Sequence, residues 1–111
     1  MRVPHCQNAE VSESKIVDYL LSLRHPEGGP KARFFLGWGF TIEAWRVLAS
    51  ALKKQVNEND YTNSEEGRYG TKYTVVASIE SPKGATTAVE TIWMIAKGTH
   101  HPRLITAYPA S

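Results

Sequence analysis

The feature that most constrains the fold is a change in hydrophobic spacing near residue 60. Before this point apolar residues recur every three or four positions, which is typical of helices with one buried face. After it, the segments TKYTVVASIE, TTAVETIWMIA and RLITAYP are rich in Thr, Val, Ile, Tyr and Trp and alternate with the period of a β-strand. This order predicts an α+β fold, with N-terminal helices packed on one face of a C-terminal antiparallel meander of about four strands.

The N-terminal half is predicted to hold two main helices with a shorter helical segment between them. Ser12 or Ser14 can cap the first helix, SESKIVDYLLSL. The stretch RHPEGGP ends this helix, because Pro26 and the glycine pair after it interrupt the helical spacing. Thr41 is expected to cap the other main helix, TIEAWRVLASALKKQV.

The chain length of 111 residues is enough for one hydrophobic core and too short for two. We predict a single domain over residues 1–111, with a flexible arm at 1–11, helices at 12–58 and the sheet at 59–109. Cys6 is the only cysteine, so neither an internal disulfide nor a zinc site is expected. No apolar run approaches the roughly 18 residues that cross a bilayer. We therefore expect a cytoplasmic protein without membrane contact, metal or cofactor.

The turn lengths assign a register to the predicted strands. The turn SPKG is expected to place Lys72 opposite Trp93, and a four-residue loop GTHH is expected to place Trp93 opposite Thr106. Side chains alternate across a strand, so these registers sort the residues into two faces. The helix-facing side would hold Tyr73, Val75, Ala77, Ile79, Ala88, Glu90, Ile92, Met94, Ile105 and Ala107. The open side would hold Lys72, Thr74, Thr91, Trp93, Thr106 and Tyr108. A single-residue bulge would change this assignment.

The open side has the composition of a surface that binds RNA or another polyanion. Aromatic rings stack on bases, whereas lysines and hydroxyls bind phosphate. Cross-strand pairs of threonine and aromatic residues also stabilise sheets that have no binding role, and that alternative stays open. The formal net charge is only +2, so RNA binding would depend on local basic clusters such as PKAR, RYGTK and KGTHHPR.

The chain contains no P-loop, GxSxG, HExxH or CxxC motif. It does contain the residue types that metal-independent RNA cleavage needs: a base for the 2′-hydroxyl, an acid for the leaving 5′-oxygen and cations for the phosphorane. The residues of these types are His25, Lys31, Arg33, Lys72, Thr91, His100, His101, Arg103, Thr106 and Tyr108.

Two resemblances bear on these residues. The motifs HPxGGxKARFF, YGTKY, TxWxI and PRLITAYP together resemble a bacterial family described as a domain of unknown function, over residues 8–109. More distantly, helices followed by a four-stranded antiparallel sheet that ends in a TAYP-like strand are similar to the superfamily of barnase, EndoU, colicin-type tRNases and RelE toxins. The members of that superfamily are metal-independent ribonucleases of toxin–antitoxin and polymorphic-toxin systems.

The second resemblance implies a division of roles among the candidates. The catalytic residues that it implies are His25, Lys31, Lys72, Arg103, Thr106 and Tyr108. The substrate-binding candidates are then Arg33, Thr91, Trp93, His100 and His101. The leading hypothesis is a ribonuclease-like toxin that acts on RNA and is neutralised by a small antitoxin or immunity protein. The alternative is a non-catalytic interaction module, antitoxin-like or phage-related, that binds a protein partner through the open side with Trp93 as its anchor.

Overall fold

A layer of helices and a layer of strands make up the computed structural model of the chain, which describes residues 1–110. Ser111, the last residue of the predicted domain, lies outside the described residues. The four strands form one antiparallel sheet in sequence order. They are β1 (Asn63–Glu66), β2 (Gly70–Glu80), β3 (Thr86–Ala96) and β4 (Arg103–Pro109). The predicted α+β fold with a four-stranded meander is confirmed.

A short 3-10 turn, Cys6–Asn8, and three helices precede the sheet among residues 1–110. The helices are α1, an α-helical turn Glu13–Lys15 that continues as a π-helical turn Ile16–Leu20, then α2 (Gly29–Gly37) and α3 (Trp45–Glu58). Ser12 caps α1, because its Oγ accepts a hydrogen bond from the Lys15 backbone N–H at 3.2 Å. Among residues 1–110, none of the helices combines the length and apolar character that crossing a bilayer requires.

The core lies between α3 and the sheet. Leu48, Leu52 and Val56 recur at four-residue intervals along α3, and all three are fully buried. They belong to the same apolar cluster as the inward residues of the strands, including Val75 and Val89. This packing fixes which face of the sheet α3 covers.

The N-terminal segment differs from its prediction as a flexible arm. Val3 is buried with 1% exposure and belongs to the core cluster. Arg2 forms an ion pair with Asp60 at the end of α3, and Glu10 forms an isolated parallel bridge with Arg103 at the start of β4. Apolar burial and backbone hydrogen bonding therefore hold residues 1–11 against the domain.

The predicted register between β2 and β3 is wrong by one residue. Ser81 N–H donates to Ala85 C=O at 2.7 Å, so that the connecting loop has three residues and not two. Gly84 ends this loop with φ +87°, the left-handed conformation that a three-residue hairpin requires. Lys72 consequently lies opposite Met94, and Trp93 lies opposite Tyr73.

A one-residue slip transfers every side chain of a strand to the other face. Trp93 and Thr91, predicted on the open side, therefore face the helices and are both fully buried. The four β3 residues predicted to face the helices lie instead on the open side: Ala88, Glu90, Ile92 and Met94. The predicted inward residues of β2 are on the helix side as expected.

A β-bulge separates two registers in the β3–β4 pair. Ile92 pairs with Thr106, whereas the next residue, Trp93, pairs with Leu104. Ile105 is the extra residue of this bulge. The prediction that Trp93 pairs with Thr106 is therefore wrong, and Ile105 lines a surface cleft, although it was predicted to face the helices.

Candidate functional site

Five polar and aromatic side chains meet at the outer edge of β4, where α1 and α2 pack against this edge strand. We call this group the Tyr19 cluster: Tyr19, His25, Lys31, Thr106 and Tyr108. At its centre, Lys31 Nζ donates a hydrogen bond to Tyr19 Oη. Tyr19 Oη also lies 2.9 Å from Thr106 Oγ1 and is hydrogen-bonded to it. The phenolic oxygen is thus held between an ammonium group and a hydroxyl.

The two bonds to Tyr19 Oη determine its acidity. Burial raises the pKa of Tyr19, but the hydrogen bonds from Lys31 and Thr106 and the positive charges of Lys31 and Lys15 together outweigh burial. The net effect is a pKa of Tyr19 below its ordinary value of 10.0. Lys15 Nζ contributes from 5.0 Å above the centroid of the Tyr19 ring. The site therefore favours a tyrosinate more than water does.

Lys31 lies close to two aromatic rings. Its Nζ is 4.9 Å from the centroid of Tyr19 and 5.9 Å from that of Tyr108, distances at which a ring face attracts a cation. Tyr108 Oη donates a hydrogen bond to Glu90 Oε2. This hydrogen bond, with burial and the Glu90 charge, raises the pKa of Tyr108 to about 12. Tyr108 therefore remains a neutral donor while Tyr19 becomes more acidic.

His25 is fixed by the loop between α1 and α2. Its Nδ1 accepts hydrogen bonds from the backbone N–H groups of Glu27 and Gly28 at 3.1 and 3.0 Å. The neutral imidazole therefore carries its proton on Nε2. The ring stands edge-on to Tyr19, with 4.9 Å between centroids. Gly28 allows this approach, because a Cβ at that position would lie 2.3 Å from the Tyr19 carbonyl oxygen.

Three members of the cluster, Tyr19, His25 and Thr106, line an open cleft of about 630 Å³. The lining residues are Ser14, Lys15, Asp18, Tyr19, His25, Glu27, Ile105 and Thr106. The bulge residue Ile105 provides an apolar wall beside the hydroxyl groups. A cleft of this volume lies within the range of sites that bind small ligands or single nucleotides.

Four of the six predicted catalytic residues belong to the Tyr19 cluster: His25, Lys31, Thr106 and Tyr108. The other two, Lys72 and Arg103, lie on the open side directly across from Met94. Along β3, Met94 is two residues from Ile92, which pairs with Thr106, and four residues from Glu90, which pairs with Tyr108; these spacings correspond to about 7 and 13 Å. The structure therefore separates the predicted catalytic set into two groups.

Comparison with known families now adds to this geometry. The family model described as a domain of unknown function, DUF6883, matches residues 2–111. The chain belongs to the DUF6883 family. No curated protein matches the DUF6883 chain. One chain of a contact-dependent growth inhibition toxin–immunity protein complex from Klebsiella pneumoniae 342 has a similar fold, with a TM-score of 0.70 and 22% identity over 96% of this chain and 97% of that chain.

The predicted substrate-binding residues of the DUF6883 domain are dispersed. Arg33 is exposed on α2, about 200° around the helix from Lys31. His100 and His101 are exposed in the β3–β4 turn, where His101 Nε2 lies 3.0 Å from Glu10 Oε2. Thr91 and Trp93 are buried on the helix side, so the prediction that they lie on the open side is wrong.

Sequence analysis missed two members of this region of the DUF6883 domain. Tyr19 lies off the apolar stripe of α1 and four residues after Lys15, a spacing that places both side chains on one helix face. That spacing is the signal that could have identified Tyr19. Glu90 was assigned to the helix side because of the register error, and its contact with Tyr108 could not be anticipated.

Proposed function

We propose that this domain is a metal-independent ribonuclease and the toxin of a toxin–immunity pair. The observation that carries the proposal is the Tyr19 hydroxyl, held between the Lys31 ammonium and the Thr106 hydroxyl beside an open cleft. The fold shared with a chain of a toxin–immunity complex supports membership of such a pair, and the resemblance to ribonuclease toxins supports the toxin role within it. The neutralising partner would be a cognate immunity protein that covers the cleft.

The first step is proton abstraction from RNA. In this mechanism the Tyr19 tyrosinate accepts the proton of a ribose 2′-hydroxyl, and the 2′-oxygen attacks the adjacent phosphorus. Thr106 orients the phenolic oxygen through its hydrogen bond. The lowered pKa of Tyr19 increases the fraction of the basic form near neutral pH.

Lys31 completes the reaction. Its ammonium group stabilises the charge on the phosphorane and donates a proton to the leaving 5′-oxygen as the P–O5′ bond breaks. The products are a 2′,3′-cyclic phosphate and a free 5′-hydroxyl. Tyr19 then carries the proton from the 2′-hydroxyl and returns it to Lys31 across their hydrogen bond. The pair is thereby restored without a metal ion.

The remaining members of the cluster bind the phosphate or position Lys31. His25 Nε2–H is available to donate a hydrogen bond to a phosphate oxygen, because Nδ1 is occupied by backbone N–H groups. Tyr108 positions Lys31 beside its ring, and Glu90 in turn positions Tyr108. These contacts hold the reactive pair in one geometry before substrate binds.

The first prediction concerns Tyr19→Phe. We expect the purified domain to cleave single-stranded RNA in EDTA and to leave 2′,3′-cyclic phosphate ends. Tyr19→Phe should lower kcat/KM about 10³-fold, since general base catalysis typically contributes 10²–10⁴-fold. Below the pKa of Tyr19, log kcat/KM should rise with pH, because the deprotonated form is active, and this rise should be absent in the variant.

Tyr61→Phe provides a matched control. Tyr61 is half-buried and donates to Met1 Sδ, far from β4, so its substitution should leave both the rate and the pH profile unchanged. The proposal is wrong if the wild-type domain leaves RNA intact in EDTA. It is also wrong if Tyr19→Phe cleaves RNA as fast as the Tyr61→Phe control.

The non-catalytic alternative loses its predicted anchor. An exposed Trp93 was expected to dominate a protein interface, but Trp93 is fully buried and donates Nε1–H to Thr91 Oγ1 at 2.8 Å. Binding through this side chain would require the core to open.

A further inference from the structure

A second charged surface lies on the open side of the sheet, at the end away from the Tyr19 cluster. We call it the basic end: Arg68, Tyr69, Lys72, Met94 and Arg103. Lys72, Met94 and Arg103 lie opposite one another on β2, β3 and β4. Two strand spacings separate the backbones of Lys72 and Arg103, a distance of about 10 Å. The two cationic residues therefore flank Met94 on one face.

The fold brings two basic sequence motifs together at this end. The backbone N–H of Lys97, in KGTHHPR, donates to the C=O of Tyr69, in RYGTK, at 2.9 Å. A hollow of about 160 Å³ is lined by Arg68, Tyr69, Lys72 and Met94 among others. A smaller hollow of about 50 Å³ shares Met94 and continues to Arg103. Both are below the roughly 300–1,000 Å³ of a small-molecule pocket, so neither would enclose a whole small ligand.

The cations of the basic end are available to a ligand. Within residues 1–110, no carboxylate forms an ion pair with Arg68, Lys72 or Arg103. Glu65 lies opposite Lys72 on β1 without forming such a pair. The ring of Tyr69 is 74% exposed beside Arg68. Unpaired cations around an exposed aromatic ring are the combination that binds single-stranded nucleic acid, through phosphate contacts and base stacking.

We propose that the basic end binds an RNA strand whose scissile phosphate lies in the cleft of the Tyr19 cluster. This inference rests on the proposed function and specifies its substrate as RNA that extends several nucleotides from the cleavage site. The two sites lie on one continuous sheet: Thr106 pairs with Ile92, which is two residues, or about 7 Å, from Met94 along β3. Lys72 and Arg103 then anchor the substrate and do not take part in proton transfer.

The test compares long and short substrates. Lys72→Gln with Arg103→Gln should lower the ratio of kcat/KM for an RNA of about 12 nucleotides to that for a dinucleotide roughly tenfold. The control pair, Lys53→Gln with Lys54→Gln, removes the same charge from the exposed surface of α3. It should leave this ratio unchanged. An unchanged ratio in the Lys72–Arg103 variant would overturn the proposal.

Binding of a 2′-O-methyl RNA of the same length separates this inference from the cleavage mechanism, because that RNA lacks the attacking hydroxyl. Loss of two phosphate contacts should reduce the slope of log Kd against log salt concentration by about 1.4. If the wild type cleaves no RNA but the slope falls, the proposed function fails and the binding surface stands. If the slope is unchanged and only binding of polyglutamate is lost, the basic end is a site for an acidic protein and the RNA proposal is wrong.

Discussion

Two polar networks, each centred on one threonine, lie on opposite faces of the sheet and differ in their exposure to solvent. In the first, Thr91 donates to Gln55 Oε1 at 2.6 Å and accepts from Trp93 Nε1. Gln55 Nε2 donates to the carbonyls of Ala77 and Val89 at 2.9 and 2.7 Å. The second is the Tyr19 cluster with Thr106. Thr91 is fully buried, whereas Thr106 lines a cleft.

The two networks differ in how many of their N–H donors are already bonded within the protein. Both N–H groups of the Gln55 side chain donate to protein atoms that water does not reach. The network therefore joins α3 to the sheet. Lys31 carries three N–H donors, and among residues 1–110 only Tyr19 accepts from them. The Lys31 donors that Tyr19 does not accept from are free to bind another group, whereas both donors of the Gln55 side chain are already used.

Lys31→Met should have the largest effect on this comparison. In the proposed mechanism, loss of the ammonium removes both the proton donor and the charge that stabilises the phosphorane, so kcat/KM for RNA should fall about 10³-fold, or about 4 kcal/mol in barrier. The free energy of unfolding from urea titration should change by less than about 1 kcal/mol, because Lys31 is only half-buried. Lys53→Met on α3 is the control and should retain wild-type kinetics. Equal kinetics in the two variants would remove Lys31 from the mechanism.

Gln55→Leu tests the network around Thr91, and it should lower stability while leaving activity unchanged. The change removes the acceptor of the buried Thr91 hydroxyl and the donor to the carbonyls of Ala77 and Val89, so the free energy of unfolding should fall by about 2 kcal/mol. The kcat/KM per folded molecule should stay at the wild-type value, since the network does not reach the cleft. Ser50→Ala, at an exposed position of the same helix, should change neither quantity. A loss of activity without a loss of stability would contradict the division between the two networks.

The sequence predicted the layers and the inward face of β2 because those depend on local spacing. The register error in β3 arose because the turn after Ser81 is one residue longer than predicted. The hydrogen bond between Ser81 and Ala85 sets this length, and hydrophobic spacing does not reveal it. The contact between Tyr19 and Thr106 joins residues 87 positions apart. Such a contact depends on how α1 meets the edge of β4, so residue types could suggest Thr106 but could not pair it with Tyr19.

Tyr108→Phe should have the smallest effect, because it keeps the ring beside Lys31 and removes only the hydroxyl that Glu90 accepts from. One charge-assisted hydrogen bond that positions Lys31 indirectly should cost about tenfold in kcat/KM, or about 1.4 kcal/mol. In an ultraviolet titration the wild type should show a tyrosine that ionises near pH 12, since the pKa of Tyr108 is raised to about 12. This ionisation should be missing from Tyr108→Phe. Tyr73→Phe is the control on the helix side of the sheet. If Tyr108→Phe loses as much activity as Lys31→Met, Tyr108 acts on the substrate directly and is not a positioning residue.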